Sequence, residues 1–531
     1  MKKQRLLLLV LAFCSVFTLS AQRYLTPQFT GVDKTTAIYG QNFTVLTLSV
    51  TGHTLRQPLV CDIYQPTGDA ATNRPLMIFI PTGNFLPKAA RRSHTGDRTD
   101  SIAVDMCTRF AKMGYVTASI DYRLGWNPIA QQQIERIGGL INAAYRGIQD
   151  ARSAVRYFKA NATALKIDTT RIMVIGEGTG GYIAMGMTSL DKYSEILTTQ
   201  YPQGKFTVSS GGNIVPMVIE AYNGNIWGTA PDTATRSPSF YPYPVGDTLH
   251  VPNHAARTSN YRLTVNMGGA LGDITWLDSA STPIISIAAP HDQNAPYRDG
   301  VLGVPIGNGV TLPVVQVQGS HWVSLKADSL GINNAFKKLT AAYDPYKNLV
   351  AARNGASGFA AAYASGLFPI IGRSTNDSSP YQWWSTDTTI ATNKFGRDSA
   401  SLANNPGMSA TKAALYIDSI MTFIAPRACV AMALPCAGLV TSTEDLLNAN
   451  ATKLTIAPNP AQSFITFESE VFNPIQAIEL YDMSGRLVRQ VAKVNNHNFN
   501  MMRGTLPTGM YIAKVKFEGG ILSKKIVFED R

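Results

Sequence analysis

The sequence predicts an α/β body with a doubly wound, mostly parallel sheet, followed by a small all-β sandwich. Three observations favour this fold class. Short apolar runs bounded by turn residues alternate with helical patterns from about Val45 onward. From about Lys453 the pattern changes to short alternating runs separated by Pro, Asn and Gly turns. The length of 531 residues, 45% of them apolar, allows several domains with a large core.

The N-terminus has the pattern of a secretory signal peptide. Residues 1–5 are basic, and residues 6–19 form an apolar stretch that is short for a membrane span. The small residues Ser20 and Ala21 follow, so we expect residues 1–21 to be removed by cleavage after Ala21. No later apolar run reaches membrane-spanning length, and we therefore expect the exported chain to be soluble.

The charge pattern argues against a nucleic-acid-binding protein. The formal charge is +12, but the basic residues are spread along the chain without a run of five or six. We interpret this excess as a solvated basic surface with weak, non-specific attraction to anionic glycans or lipid headgroups.

The four cysteines that follow the signal peptide permit two disulfides in an exported protein. We expect Cys429–Cys436, which closes a short loop, and Cys61–Cys107; four buried free thiols are the alternative. Their spacing does not resemble a zinc site. The sequence predicts no metal and no cofactor.

The C-terminal domain is predicted from six alternating runs. They cover residues 454–456, 464–467, 477–481, 487–491, 511–515 and 524–528. Residues 437–452 are mostly small and polar, as a linker would be. The body therefore spans residues 22–436 and the tail residues 453–531.

Four phrases of the tail carry a family resemblance. They are Ala457-Pro458-Asn459-Pro460, Tyr481-Asp482-Met483-Ser484-Gly485-Arg486, Leu506-Pro507-Thr508-Gly509-Met510-Tyr511 and Lys524-Lys525-Ile526. In this order they resemble the type A sorting domain of the type IX secretion system. The resemblance implies a Bacteroidota-type cell, export through the type IX machinery and removal of the tail. Release or attachment to surface lipopolysaccharide would follow. The alternative is a carbohydrate-binding or adhesive β-domain.

The body is predicted to contain buried strands with helices between them. The apolar runs are 76–80, 116–120, 172–175, 206–209, 284–288 and 314–317, and helical patterns cover 102–113 and 141–160. Such alternation favours βαβ units.

Several phrases of the body occur in a recognisable order. They are Asp62-Ile63-Tyr64-Gln65-Pro66, Asp121-Tyr122-Arg123-Leu124-Gly125 and Asp150-Ala151-Arg152-Ser153-Ala154-Val155-Arg156-Tyr157. They resemble secreted carboxylesterases and related lipases of the α/β-hydrolase fold, over residues 55–190 and again over 282–333. A helix near 410–423 resembles the closing helix of that fold. Residues 336–398, which include Tyr381, Trp383 and Trp384, are expected to be an insertion that forms a lid or binding surface.

The resemblance places a glycine where these esterases carry their nucleophile. The nucleophile lies on a strand-to-helix turn written G-x-S-x-G, and the matching stretch is Gly176-Glu177-Gly178-Thr179-Gly180. Gly178 therefore occupies the serine position. The side chains of Glu177 and Thr179 should point elsewhere, whereas the Thr179 N–H would form half of an oxyanion hole. Since losing the serine of a triad typically costs about 10⁶ in kcat, we expect no ordinary esterase turnover.

The resemblance also proposes an acid and an oxyanion loop. Asp292 matches the triad aspartate in the phrase Asp292-Gln293-Asn294-Ala295-Pro296-Tyr297, with a surface-loop aspartate as the alternative. The family's other oxyanion loop corresponds to residues 81–85, where Gly83 and Phe85 fit the pattern and Asn84 lies between them in the cleft.

Two interpretations remain open for the catalytic base. His321 lies at a plausible sequence distance from Asp292, but it begins a helix-like run over 322–330. In the family such a run precedes the last strand, and the triad histidine follows that strand. His321 is therefore either a remnant of the triad or a helix-start residue; His94 and His291 are weaker candidates.

Three functions remain open at this point. We favour a non-catalytic hydrolase homologue that binds an ester, glycan or peptide in a cleft at the carboxyl ends of the strands. The second is an active hydrolase with a relocated nucleophile, for which Ser209, Ser210 and Ser320 are the candidates. The third is dinucleotide binding, since residues 176–181 also fit G-x-G-x-x-G. It is disfavoured because the next predicted strand ends without an acidic residue.

Overall fold

The computed structural model describes most of the chain in two compact units, Met1–Leu439 and Val440–Arg531. The described residues are 23–91, 95–198, 204–210, 212–233, 246–292, 294–307, 310–340, 343–356, 358, 363–372, 377–384, 405–436, 439, 454–469, 474–517 and 520–530. The predicted signal peptide lies outside these residues, as does the predicted linker apart from Leu439.

The first unit is built around an eight-stranded sheet in the order β1-β2-β4-β3-β5-β8-β9-β12. In chain order the strands of this unit are β1 (Val32–Thr44), β2 (Leu55–Pro66), β3 (Arg74–Ile80), β4 (Val116–Ile120), β5 (Ile167–Glu177), β6 (Thr207–Ser210), β7 (Asn213–Pro216), β8 (Leu263–Met267), β9 (Ile284–Ala288), β10 (Asp299–Gly307), β11 (Val310–Gln318) and β12 (Leu367–Pro369). The first two strands pair antiparallel, and every neighbouring pair from β4 to β12 is parallel. The predicted doubly wound, mostly parallel sheet is confirmed.

Helices alternate with these strands. The longer ones are α1 (Ser101–Lys112), α2 (Gln133–Ala160), α3 (Thr179–Ser189), α4 (Ser320–Ser329), α5 (Tyr346–Ala356) and α6 (Ala410–Ala431). Short helical turns cover Leu48–Thr51, Lys88–Arg91, Ala162–Leu165, Tyr193–Thr198, Glu220–Asn223, Ile274–Trp276 and Phe336–Lys338. In α1, Ile102, Met106 and Phe110 recur every four residues and are buried, which is why this segment forms a helix against the sheet.

Two predicted strands do not belong to the sheet. Residues 206–209 overlap β6, which pairs antiparallel with β7 in a separate hairpin, and residues 314–317 lie in β11, which pairs with β10. The sheet uses β8 and β12 instead. An apolar run does not distinguish a buried parallel strand from a hairpin strand. The buried polar residues Thr264 and Asn266 interrupt the apolar pattern of β8.

The predicted insertion at 336–398 contains the last strand of the sheet. β12 pairs in parallel with β9, so at least this part of the segment belongs to the central fold. The helix predicted near 410–423 is present as α6, which continues through Pro426. By length and composition alone α6 is apolar enough to cross a membrane, but 67% of its most apolar window is buried inside the protein, as in a core helix.

Side chains of α2 donate hydrogen bonds to the backbone of the segment that follows β7. Arg152 Nη1 donates to the carbonyl of Ile226 at 2.9 Å, and Arg156 Nη1 donates to that of Trp227 at 2.7 Å. Burial lowers the pKa of both arginines to about 10. These cations therefore act as hydrogen-bond donors to backbone that would otherwise lack partners in the interior.

One of the two expected disulfides is present. Cys429 and Cys436 are bonded, which confirms the short loop, whereas Cys61 and Cys107 are free and buried, so that pairing was wrong. Cys61 lies on β2 and Cys107 on α1, and each is packed as a separate core residue.

This cysteine arrangement makes a simple prediction. In protein without its predicted signal peptide, which contains Cys14, we expect thiol titration to find two free thiols when the chain is unfolded without reductant. In the folded protein we expect both to react slowly, because burial raises the pKa of the Cys61 thiol to about 12 and that of Cys107 further. Titration with Ellman's reagent measures both; four thiols in the unfolded, unreduced chain would contradict the disulfide.

The second unit is an all-β domain of two sheets. Its strands are β13 (Thr455–Ala457), β14 (Phe464–Glu468), β15 (Ile475–Asp482), β16 (Leu487–Asn496), β17 (Asn498–Met502), β18 (Gly509–Phe517) and β19 (Gly520–Phe528). They form sheets in the orders β13-β14-β17 and β16-β15-β18-β19. Ile465, Phe467, Leu480, Val515 and Phe528 belong to one buried core. Five of the six predicted runs lie within strands, the run 454–456 overlaps β13, and the predicted sandwich is confirmed.

Candidate functional site

The candidate site lies where the parallel strands of the first unit end. Thr82 follows β3, Gly178 follows β5, Gly268 follows β8, Asp292 follows β9 and Tyr381 follows β12. Because carboxyl ends of parallel strands meet at one edge of a sheet, these residues from distant parts of the chain lie in one region.

Gly178 forms the sharp turn between β5 and α3. Its backbone angles are φ 55° and ψ −117°, and its N–H donates to the carbonyl of Met267 at 2.8 Å. Glycine adopts this conformation at little cost, whereas another residue held there loses on the order of 1–3 kcal/mol. The carbonyl of Gly178 accepts the N–H of Gly181 at 2.9 Å, which begins the helix.

The glycines on either side are required by close backbone contacts. A Cβ at Gly176 would lie 2.0 Å from the carbonyl oxygen of Gly180, and one at Gly180 would lie 1.9 Å from that of Ile80. Strand and helix therefore meet closely only because positions 176 and 180 are glycines. Gly178 lies midway between them, at the bend.

Thr82 occupies the space beside Gly178. A Cβ at Gly178 would lie 2.2 Å from Thr82 Oγ1 and 2.8 Å from Thr82 Cβ. The Thr179 N–H, predicted as an oxyanion donor, points at the same hydroxyl with an N···O distance of 3.4 Å. No pattern in the sequence indicates this contact, because it joins the ends of two different strands.

The loop after β3 is a strained stretch of backbone. Gly83, Asn84 and Phe85 all have positive φ, at 147°, 50° and 54°. The Trp126 indole N–H donates to the carbonyl of Asn84 at 2.7 Å, and the N–H of Leu86 donates to the carbonyl of Gly83 at 2.9 Å. Left-handed conformations at Asn84 and Phe85 persist because such contacts fix the loop.

Glu177 connects the turn to two other loops. Its buried carboxylate accepts the N–H of Thr82 at 3.4 Å and the side-chain amide of Gln382. Gln382 lies in the loop that follows β12. From the sequence Glu177 is predicted only to point away from the nucleophile's direction; its contacts with these two loops join the ends of separate strands and leave no signal there.

Asp292 has a chemically unusual environment. Its Oδ1 accepts the backbone N–H groups of Asn294 at 2.7 Å and Ala295 at 3.2 Å, and its carboxyl also bonds to Ser378. Desolvation outweighs these hydrogen bonds and raises the pKa of Asp292 to about 7. The pKa of the neighbouring Tyr381 is raised well above its ordinary value by burial and by the charges of Glu177 and Asp292.

The raised pKa of Asp292 predicts that stability falls as the pH rises. The folded protein keeps this proton up to about pH 7, whereas an unfolded aspartate releases it near about pH 3.9. The stabilisation that this proton gives the folded state is fully present below about pH 4 and is lost by about pH 7. Between these values the free energy of unfolding falls by up to about 1.4 kcal/mol per pH unit. We expect Asp292→Asn, which stays neutral and keeps an acceptor oxygen, to melt at a higher temperature than the wild type at pH 8.

The control for this measurement is Asp299→Asn, at an exposed aspartate of β10. We expect the difference between Asp292→Asn and the wild type to shrink from pH 8 to pH 4, and Asp299→Asn to follow the wild type throughout. Parallel melting profiles for all three proteins would contradict the raised pKa.

His321 lies on α4, before the last strand of the sheet. Its ring packs against Tyr297 with centroids 5.5 Å apart and against Trp322 at 6.0 Å. The backbone N–H of His321 donates to the Tyr297 carbonyl at 2.9 Å. Burial and the positive charge of Arg298 lower its pKa. The loop after β12, where the resemblance expects the triad histidine, carries Tyr381 and Gln382.

The remaining candidate residues lie at different places in the fold. Ser209 is exposed on the β6–β7 hairpin, and Ser210 follows it. Ser320 is buried at the start of α4, where its hydroxyl accepts the Asn266 side-chain amide at 3.2 Å. His291 is exposed next to Asp292, and His94 lies outside the described residues. Within the described ranges, His, Cys, Asp and Glu side chains form no cluster that could hold a metal ion.

The sheet order, the turn at Gly178 and the loops at the carboxyl ends define an α/β-hydrolase fold. The chain carries an esterase-like α/β-hydrolase domain of the BD-FAE family, matched over residues 61–225, and a secretion system C-terminal sorting domain, matched over residues 455–529. Both predicted resemblances, to esterases and to type IX sorting domains, are confirmed.

The similar solved structures are distant. Thermogutta terrifontis esterase 2 phosphorylated by paraoxon is 16% identical, with 51% of this chain and 75% of that chain covered and a TM-score of 0.26. The propionate-bound esterase Est2 of the same species is 13% identical, with 72% and 98% covered and a TM-score of 0.31. Values this low carry no argument about activity. No curated protein matches the chain.

Proposed function

We propose that the body is a non-catalytic member of the esterase-like α/β-hydrolases that binds a ligand at the carboxyl edge of its sheet after export. The observation that carries this proposal is Gly178 at the turn between β5 and α3, between the two glycines that the close backbone contacts require. A residue without a side chain offers no nucleophile at the position from which such a hydrolase attacks an ester.

The missing base supports the same conclusion. No histidine occurs in the sequence between His321 and His497, so the loop after β12 has none to offer. Instead, Ser378 and Gln382 of that loop hydrogen-bond to Asp292 and Glu177, respectively. A serine hydrolase of this kind needs an imidazole between its nucleophile and its acid, whereas the side-chain partner of Asp292 here is Ser378.

The edge above this region has the character of a binding surface. Tyr182, Trp383 and Trp384 are partly exposed there, and the Tyr182 hydroxyl donates to the carbonyl of Asn294 at 3.4 Å. Aromatic side chains with one polar atom suit a small ester, a glycan or a peptide. The sorting domain implies interaction with the type IX secretion machinery and a secreted or surface location. We propose surface lipopolysaccharide attachment after tail removal as one fate of the body.

Two measurements on the purified body test the absence of catalysis. Hydrolysis of short p-nitrophenyl esters is expected to stay at the rate of the buffer, and a fluorophosphonate probe is expected to label no residue. A known serine esterase is the positive control, and heat-unfolded body is the control for non-specific labelling. Labelling of the folded body at one residue, with matching ester turnover, would overturn the proposal.

The same experiment decides the alternative of a relocated nucleophile. Ser320 is the candidate at the carboxyl edge, since its hydroxyl contacts Asn266 at the end of β8. If the probe labels the body, mass spectrometry of the labelled peptide identifies the residue. Ser320→Ala would abolish the label in that case, with exposed Ser209→Ala as the matched control.

A further inference from the structure

We infer that the Thr82 side chain occupies the space beside Gly178 where an esterase of this fold would hold the acyl group of its substrate. Glycine at position 178 and threonine at position 82 therefore depend on each other. The inference rests on the proposed function and adds which ligands the site excludes. A substrate carbonyl or its oxyanion has no room at the turn, and the ligand of the body is not an ester held there by its acyl group.

The steric part of the argument starts from the absent side chain of Gly178. A Cβ built there would lie 2.2 Å from Thr82 Oγ1 and 2.8 Å from Thr82 Cβ. Rotation about χ1 moves the hydroxyl but leaves the Cβ in place, because the Cβ is fixed by the backbone. Relief of both contacts therefore requires glycine at position 82 or a shift of one backbone segment.

The polar part concerns the donor that would bind a developing oxyanion. Such a donor must point at the reacting oxygen, but the Thr179 N–H points at Thr82 Oγ1 at 3.4 Å. The threonine side chain therefore covers both the attack position and half of the oxyanion hole.

A network of hydrogen bonds holds Thr82 in this position. Its N–H donates to Glu177, and Glu177 also accepts from Gln382. The carbonyl of Gln382 accepts the side-chain amide of Asn405 at 2.9 Å, and Lys412 Nζ donates to Asn405 Oδ1 at 2.7 Å. The loops after β3, β5 and β12 are thus tied to α6, and Thr82 has little freedom to withdraw from the turn.

A cysteine at position 178 reports on this space without needing a catalytic base. Its thiolate reacts with iodoacetamide directly, and the N-terminus of α3 favours the thiolate form. We compare Gly178→Cys alone, with Thr82→Ala and with Thr82→Gly. Alkylation is expected to be slowest in the single variant, intermediate with Thr82→Ala, and faster by about tenfold or more with Thr82→Gly. The wild type, whose free thiols Cys61 and Cys107 are buried, supplies the background.

Equal alkylation rates in the three cysteine variants would overturn the inference. A thermal unfolding cycle keeps the test valid if a cysteine variant folds poorly. Gly178→Ala is introduced into the wild type and into Thr82→Gly. We expect it to lower the melting temperature by several degrees more in the wild-type background than in the Thr82→Gly background. The same loss in both backgrounds would also overturn it. Ester turnover of the wild type would refute the proposed function instead, and the two failures are thereby distinguished.

Discussion

We expect Asp150→Ala to destabilise the first unit by about 3–5 kcal/mol. Asp150 lies on α2 with no exposed surface, and its carboxylate accepts the backbone N–H of Arg123 at 2.8 Å and Arg123 Nε at 2.9 Å. The same guanidinium donates to the carbonyl of Leu249 at 2.7 Å and to Gln149. Removing the carboxylate leaves a buried cation without its counter-ion, which costs far more than the net value of the pair.

Urea unfolding followed by circular dichroism measures this loss. Asp418→Ala is the matched control, because it removes the carboxylate of an exposed ion pair with Arg109. Exposed pairs contribute about 0–1 kcal/mol, so this variant should unfold nearly as the wild type does. If Asp150→Ala were no more destabilising than Asp418→Ala, the buried pair would not have the role that its contacts imply.

We expect Gly178→Ser to gain less than about tenfold in ester hydrolysis over the wild type, although a triad serine is typically worth about 10⁶ in kcat. The new side chain meets Thr82, and the backbone of the serine must adopt a positive φ. The loop after β12 presents no imidazole to activate it, and the Thr179 N–H already points at Thr82. Serine alone therefore restores neither the base nor the oxyanion hole.

Initial rates on p-nitrophenyl acetate and butyrate measure this prediction. The double variant Thr82→Gly with Gly178→Ser is the informative companion, since it removes the steric conflict and leaves the base absent. We expect it to melt at a higher temperature than Gly178→Ser while remaining as inactive. A burst of p-nitrophenol from either variant would show that a base remains within reach of position 178.

The turn was the part of the site that the sequence could reveal. Its register is marked by the spacing of Gly176, Gly178 and Gly180, and Gly176 is required by a local backbone contact with Gly180. Thr82 and Gln382 could not be placed in the same way. They reach the turn from the ends of β3 and β12, and such contacts leave no periodicity or spacing in the chain.

The sheet shows the same division between local and distant information. Strands with uninterrupted apolar runs, such as β3 and the second half of β5, were predicted within their correct positions. β12 has three residues and is buried by distant parts of the chain, including β9 beside it and Phe423 of α6, so no pattern in its own sequence identifies it. The free state of Cys61 likewise depends on how β2 and α1 pack rather than on cysteine spacing.

The order of the strands also affects how an exported chain folds. β5 pairs with β8 through Met173 and Leu263, which are far apart in the sequence. Such long-range pairing gives a high contact order, and loop closure must precede its stabilisation. When β1 to β5 have formed and β8 has not yet paired, one edge of β5 lacks its neighbour. The unpaired backbone groups of that edge can then recruit strands from other chains.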